Sequence, residues 1–159
     1  MACGSATPTS DVPGTDTEVP VELTLRTGAN EFIDLGELRD APTFLFLFAT
    51  YDELSQAAVL AVSRFRRMHP EVHVVGIAAQ PDAAQMLEPY ALALNIDFPL
   101  TYEPEEKLLL GETPLGRIEG IPGIFVIDRR GVIVERAYGF QSEGALERML
   151  GSVERTHER

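Results

Sequence analysis

An acid and a hydroxyl, Asp52 and Ser55, stand three residues apart in the run FLFLFATYDELSQ, with Tyr51 before them and Glu53 between them. A serine next to a carboxylate becomes a nucleophile only when a histidine takes its proton. No recognised motif brings His69 or His73 to Ser55. Asp52 and Glu53 are consecutive, so a helix turns them in different directions and they do not form an acid–base pair across one cleft. The segment GETPLG lacks both the spacing and the lysine of a phosphate-binding loop. Thiol chemistry meets a simpler obstacle: Cys3 is the one cysteine of the chain and has no partner for an internal disulfide. His69, His73 and His157 show no metal-ligand spacing, and with a single cysteine a zinc site is not supported. Neither a metal nor a cofactor is expected.

The elements that position this run follow from hydrophobic pattern. Thr43 to Ala49, TFLFLFA, is short, apolar and aromatic-rich, the pattern of a strand covered on both faces of a mostly parallel sheet. A helix of roughly 17 residues follows, with Leu54, Ala58, Ala61, Phe65 and Met68 recurring at three- and four-residue steps and HP closing it. VELTL and the start of EFIDLGELRD read as earlier strands, the latter running into a helical turn. Val72 to Ala79 is a second apolar strand, and a helix then opens near Pro81, with Pro89 expected to kink or divide it. FPLTYE is a short strand. PEEKLLLGETPLGRIEG is one helical turn and a loop broken at Gly111, Pro114 and Gly116. GIFVID and VIVERAYG form a hairpin through RRG, and Ser142 caps a last amphipathic helix. Alternating strands and helices, with a late hairpin, predict an α/β domain whose mixed central sheet carries helices on both faces.

This order, with FIDLGELRDAPTFLFLFAT, VHVVGIAAQPDAAQ and GIPGIFVIDRRGVIVERAYG, resembles the thioredoxin-like superfamily over roughly Val21 to Leu150. The likeness is strongest to its TlpA/ResA and alkyl-hydroperoxide-reductase branches. GIPGIFVIDRRG is the most specific phrase, being similar to the family's Gly-Val-Pro-x-x-Phe-hydrophobic-Ile-Asp-x-x-Gly run. The resemblance implies a three-layer thioredoxin-like fold and a cis bond between Ile121 and Pro122, with Pro122 facing the active corner. It also lays the family's Ala-Thr-Trp-Cys-x-x-Cys motif on Ala49 to Ser55. Its two cysteine positions are then Asp52 and Ser55.

That departure bears directly on function. Disulfide exchange needs a thiolate and a second thiol to resolve the mixed disulfide. A carboxylate cannot form the sulfur–sulfur bond, and a serine hydroxyl cannot pass through a sulfenic acid. Cys3 is about 50 residues away from the corner and is not assigned the missing role. Asp52 instead suits the exposed N–H groups of a helix N-terminus. The sharper reading makes Tyr51, Asp52, Glu53 and Ser55 a polar rim which, with Ile121 and Pro122, receives a protein or an extended peptide. The expected function is therefore a redox-inactive binding module, leaning away from enzymatic turnover. The alternative is a thiol-disulfide oxidoreductase or peroxiredoxin-like antioxidant protein with an altered site, as family membership alone would imply.

Composition bounds the partners. The chain has 159 residues, 45% hydrophobic and 24% charged, which suits one soluble globular domain. A net charge of −12 argues against nucleic acid. The basic clusters Arg64 to Arg67 and Arg129-Arg130 read as solvated helix-end and turn residues. Residues 1–20, rich in Ser, Thr, Pro and Gly, read as a disordered leader ahead of a domain spanning 21–159. Cys3 behind Ala2 is a lipidation candidate that resembles the start of a mature bacterial lipoprotein, and it offers the single route to a membrane. With the true start upstream of Met1 the expected location is the cell envelope; otherwise it is cytoplasmic.

Overall fold

The computed structural model describes residues 19–157, so Cys3 and nearly all of the expected leader lie outside the described residues. Seven strands form one sheet: β1 (Thr24–Thr27), β2 (Phe32–Asp34), β3 (Thr43–Phe48), β4 (His73–Ala78), β5 (Leu100–Tyr102), β6 (Gly123–Ile127) and β7 (Ile133–Tyr138). The helices are α1 (Glu53–Met68), α2 (Ala83–Leu94) and α3 (Glu143–His157), with a 3-10 turn at Leu35–Glu37. The strand order is β2-β1-β5-β4-β3-β6-β7. β3, β4 and β5 run parallel, as strands joined through crossover helices must. β6 pairs antiparallel with both β3 and β7, which makes the sheet mixed as expected.

β3 is the central ruler. All six of its residues are buried, and their alternation divides the core in two. Phe44, Phe46 and Phe48 belong to a cluster with Val59, Val62 and Phe65 of α1, Leu87 and Tyr90 of α2, and Leu146 and Met149 of α3. Leu45 and Leu47 belong to a second cluster with Leu25, Leu35, Ile77, Leu108, Leu115 and Phe125. The two sides are covered unequally. All three α-helices contribute to the phenylalanine cluster, while the second cluster draws on the 3-10 turn at Leu35 and on the connection between β5 and β6.

Some local expectations change. Leu54 and Met68, the ends of the three- and four-residue repeat in α1, are 47% and 70% exposed, and Val59 and Val62 point inward instead. The run AAVLAV is apolar on every side, so packing on Phe44 and α3 sets the rotation of the helix rather than its own pattern. α2 passes through Pro89 without a break. Pro89 and Gln85, whose carbonyl has no N–H donor at residue 89, are both exposed, so the missing bond falls on the solvent side of the helix. PEEKLLLGETPLGRIEG makes hydrogen-bonded turns around Lys107–Glu112 in place of the expected helical turn. The basic clusters are paired rather than merely solvated. Arg64 bonds Glu143, Arg67 faces Asp97 at 3.9 Å, and Arg129 donates to the Asp40 carbonyl at 2.6 Å.

Candidate functional site

The corner after β3 is built by a helix start. Asp52, in extended backbone, is the N-cap of α1, and its Oδ2 accepts the Ser55 N–H at 2.8 Å. The same oxygen accepts the Ser55 hydroxyl at 2.8 Å. Ser55 Oγ in turn accepts the Ala49 N–H at 3.2 Å. At the two positions where the resemblance puts cysteines, an acid and a hydroxyl are thus hydrogen-bonded to each other. A helix N-terminus carries a partial positive charge that lowers the pKa of a catalytic thiol. Here that field acts on a carboxylate already engaged by two donors.

The described residues place no thiol and no histidine at this corner. Ser55 is fully buried at 0% exposure, so it belongs to the scaffold and not to the expected rim. The reason is its place in the first turn of α1, where Asp52 and the Ala49 N–H hold its side chain inward. His69 caps the far end of α1, roughly 20 Å along the axis from Ser55 at 1.5 Å per residue. There it bonds Glu147 at 2.6 Å, approaches Glu71 at 3.5 Å and packs on the Phe65 ring. The bond to Glu147 raises its pKa against the opposing effect of burial. His73 begins β4 at the opposite end from the corner and bonds Asp40 at 2.7 Å. Tyr90, 8% exposed and stacked 5.4 Å from Phe48, has a hydroxyl without a partner among the described residues. Burial, helped by the negative charge of Asp52, pushes its phenol up to about 12, so it carries a fixed proton at neutral pH.

Register brings the second half of the expected site to the same edge. Leu47 lies opposite Gly123, so the residues following β3 and those preceding β6 meet at one end of the sheet. The Ile121–Pro122 bond is cis. Pro122 is buried and its carbonyl accepts the Gly139 N–H at 2.8 Å. The accessible surface of the corner therefore comes from Tyr51, 71% exposed, from Glu53, and from half-buried Asp52 and Ile121. Among the described residues, the N–H and C=O of Ile121 make no hydrogen bond.

Gln80 was missed at the sequence level. Its Oε1 accepts the Thr50 N–H at 2.6 Å and its Nε2 donates to Asp82 at 2.9 Å, which ties the end of β4 to the corner. Gln80 also lines a cleft of about 210 Å³ with Pro81, Ala84, Tyr102, Glu103 and Leu109. The available signal was positional: the carboxyl ends of neighbouring parallel strands are where open α/β sheets bind ligands.

No family model matches the chain, and no curated protein matches it. Solved structures do. A thiol:disulfide interchange protein of the thioredoxin family from Chlorobium tepidum TLS is 20% identical with a TM-score of 0.70, covering 94% of this chain and 99% of its own. A thiol-disulfide isomerase from Corynebacterium glutamicum is 21% identical with a TM-score of 0.70, covering 87% and 97%. The pneumococcal exposed lipoprotein thioredoxin from Streptococcus pneumoniae strain TIGR4 is 16% identical with a TM-score of 0.65, covering 82% and 98%. The likeness shows a thioredoxin-like fold, here carrying Asp52 and Ser55 at its helix corner and one cysteine in the whole chain.

Proposed function

We propose that this chain is a thioredoxin-fold binding module that holds an extended segment of another protein at the Tyr51–Ile121 corner without exchanging thiols. The observation that carries the reading is the Asp52–Ser55 hydrogen bond. It keeps the geometry of the helix start while leaving no group there that can cycle between thiol and disulfide. The unpaired backbone of Ile121 offers a donor and an acceptor for strand addition, in which an extended peptide docks by its main chain. Tyr51 supplies an exposed aromatic anchor at the same end of the sheet. The net charge of −12 speeds encounter with a basic partner. Placement in the cell envelope, with lipid on Cys3, belongs to the same proposal and draws on the likeness to an exposed lipoprotein.

Two measurements test it together. Insulin reduction with dithiothreitol and peroxide consumption should both match buffer. Peptides selected on the purified full chain from a random decapeptide display library should lose about tenfold in affinity on Tyr51→Ala. They should also fail when the amide facing Ile121 is N-methylated. Turnover that survives Cys3→Ser, or selected peptides indifferent to both changes, overturns the reading.

A further inference from the structure

The cleft beside Gln80 is separate from the corner in surface but joined to it by one side chain. Gln80 both fixes the Thr50 amide and forms part of the cleft wall. At about 210 Å³ the space is smaller than the ~300–1,000 Å³ of small-molecule sites, and it suits a single side chain better than a cofactor. Its walls are apolar at Ala84, Pro81 and Leu109, and Leu109 remains 58% exposed at the mouth. Tyr102, half-buried and packed against the phenylalanine cluster, is also part of the wall. Among the described residues no lysine or arginine lines it, although two glutamates do.

Those glutamates have different duties. Glu103 is 9% exposed, and its two carboxylate oxygens accept the N–H groups of Glu105 and Lys107. It holds the turn. Glu106 sits in that turn with its N–H on the Glu103 carbonyl at 3.2 Å, and its carboxylate makes no hydrogen bond or ion pair among the described residues. Lys107, next to it in sequence, is engaged by Glu105 at 2.8 Å and does not line the cleft. Apolar residues, a tyrosine and an exposed carboxylate without a cation partner together complement one kind of side chain: a long aliphatic stem ending in a cation.

We infer that this cleft receives an arginine side chain of the chain bound at the Tyr51–Ile121 corner, with its stem along Leu109 and Pro81 and its guanidinium between Tyr102 and Glu106. The inference rests on the binding reading above and assigns it a specificity pocket. Arginine fits better than lysine because a planar guanidinium is weakly hydrated and stacks on aromatic rings.

The test titrates N-acetyl-arginine N-methylamide into the full-length ¹⁵N-labelled chain and follows amide shifts. The citrulline and lysine analogues serve as neutral and non-planar comparisons. The expected result is saturable shifts at Gln80, Tyr102, Glu106 and Leu109. Affinity should fall at least about fivefold for citrulline and for Glu106→Gln, and should be unchanged by Tyr51→Ala. Equal binding of citrulline, indifference to Glu106→Gln in a variant with an unaltered melting curve, or shifts elsewhere on the surface would refute it. Lysine binding as well as arginine would refute the guanidinium assignment. Decapeptides that bind through Tyr51 with no preference for arginine would overturn this pocket alone. Arginine binding without Tyr51-dependent peptide binding would overturn the corner reading and leave the pocket standing.

Discussion

Replacing Asp52 with Ala removes two things at once, and the structure separates them. The N-cap bond to the Ser55 N–H is lost, which costs about 1 kcal/mol within a range of ~0.5–2. The Ser55 hydroxyl, at 0% exposure, loses the acceptor for its proton, a buried unsatisfied donor worth about 1–3 kcal/mol. The sum is about 2–4 kcal/mol. For a chain of 159 residues this lowers the melting temperature by roughly 5–15 °C, at about 2–4 °C per kcal/mol. Ser55→Ala alone strands the Ala49 N–H and costs about 1–3 kcal/mol. In the double variant no hydroxyl is left to desolvate, so the combined loss should fall short of additive by about 1–2 kcal/mol. Urea unfolding of the four proteins, followed by circular dichroism, reads all three quantities. An Asp52→Ala loss below about 0.5 kcal/mol, or a cycle additive within about 0.5 kcal/mol, would refute the account of the corner as a hydrogen-bonded replacement for a disulfide.

The converse substitution, Asp52→Cys with Ser55→Cys, should restore thiol chemistry. We expect dithiothreitol-dependent insulin reduction above the background of the parent chain, with the residue-52 thiol titrating below the ordinary 8.5 because of the helix field; a pair that oxidises yet never turns over would show that the corner has lost more than its sulfurs. The His69 pKa is raised mainly by its bond to Glu147. Its contribution is thus complete below the unfolded value of about 6.5 and disappears as pH climbs through the raised folded value. With Glu147 47% exposed, that contribution is about 0.5–1 kcal/mol. Urea midpoints of the parent minus Glu147→Gln, measured from pH 6 to pH 9, should shrink, and a difference that grows with pH contradicts the assignment. Gly76→Ala would set a Cβ 2.7 Å from Leu100 Cδ2 and 3.2 Å from Phe48 Cε1 in the middle of β4. The expected cost is about 1–3 kcal/mol, read as a lower urea midpoint, and a neutral result would mean that the Leu100 side chain yields freely.

Much of this molecule is written in local pattern. The apolar run Thr43–Phe48, the extended Asp52 before a helix, the RRG turn and Ser142 each dictate their own element, because strand period, capping and turn chemistry act within a few residues. The absence of sulfur at residues 52 and 55 is likewise a fact of sequence. What a side chain faces is another matter. Whether Leu54 or Val59 enters the core, whether Ser55 is rim or scaffold, and whether Ile121 and Tyr51 reach one end of the sheet depend on how β3 pairs with β6 and how α1 rolls against α3. The bond between Thr50 and Gln80 joins residues 30 positions apart, and the cleft next to it exists only because β4 and β5 end side by side. Contacts of that span are decided by strand order and register. No periodicity within one segment encodes them.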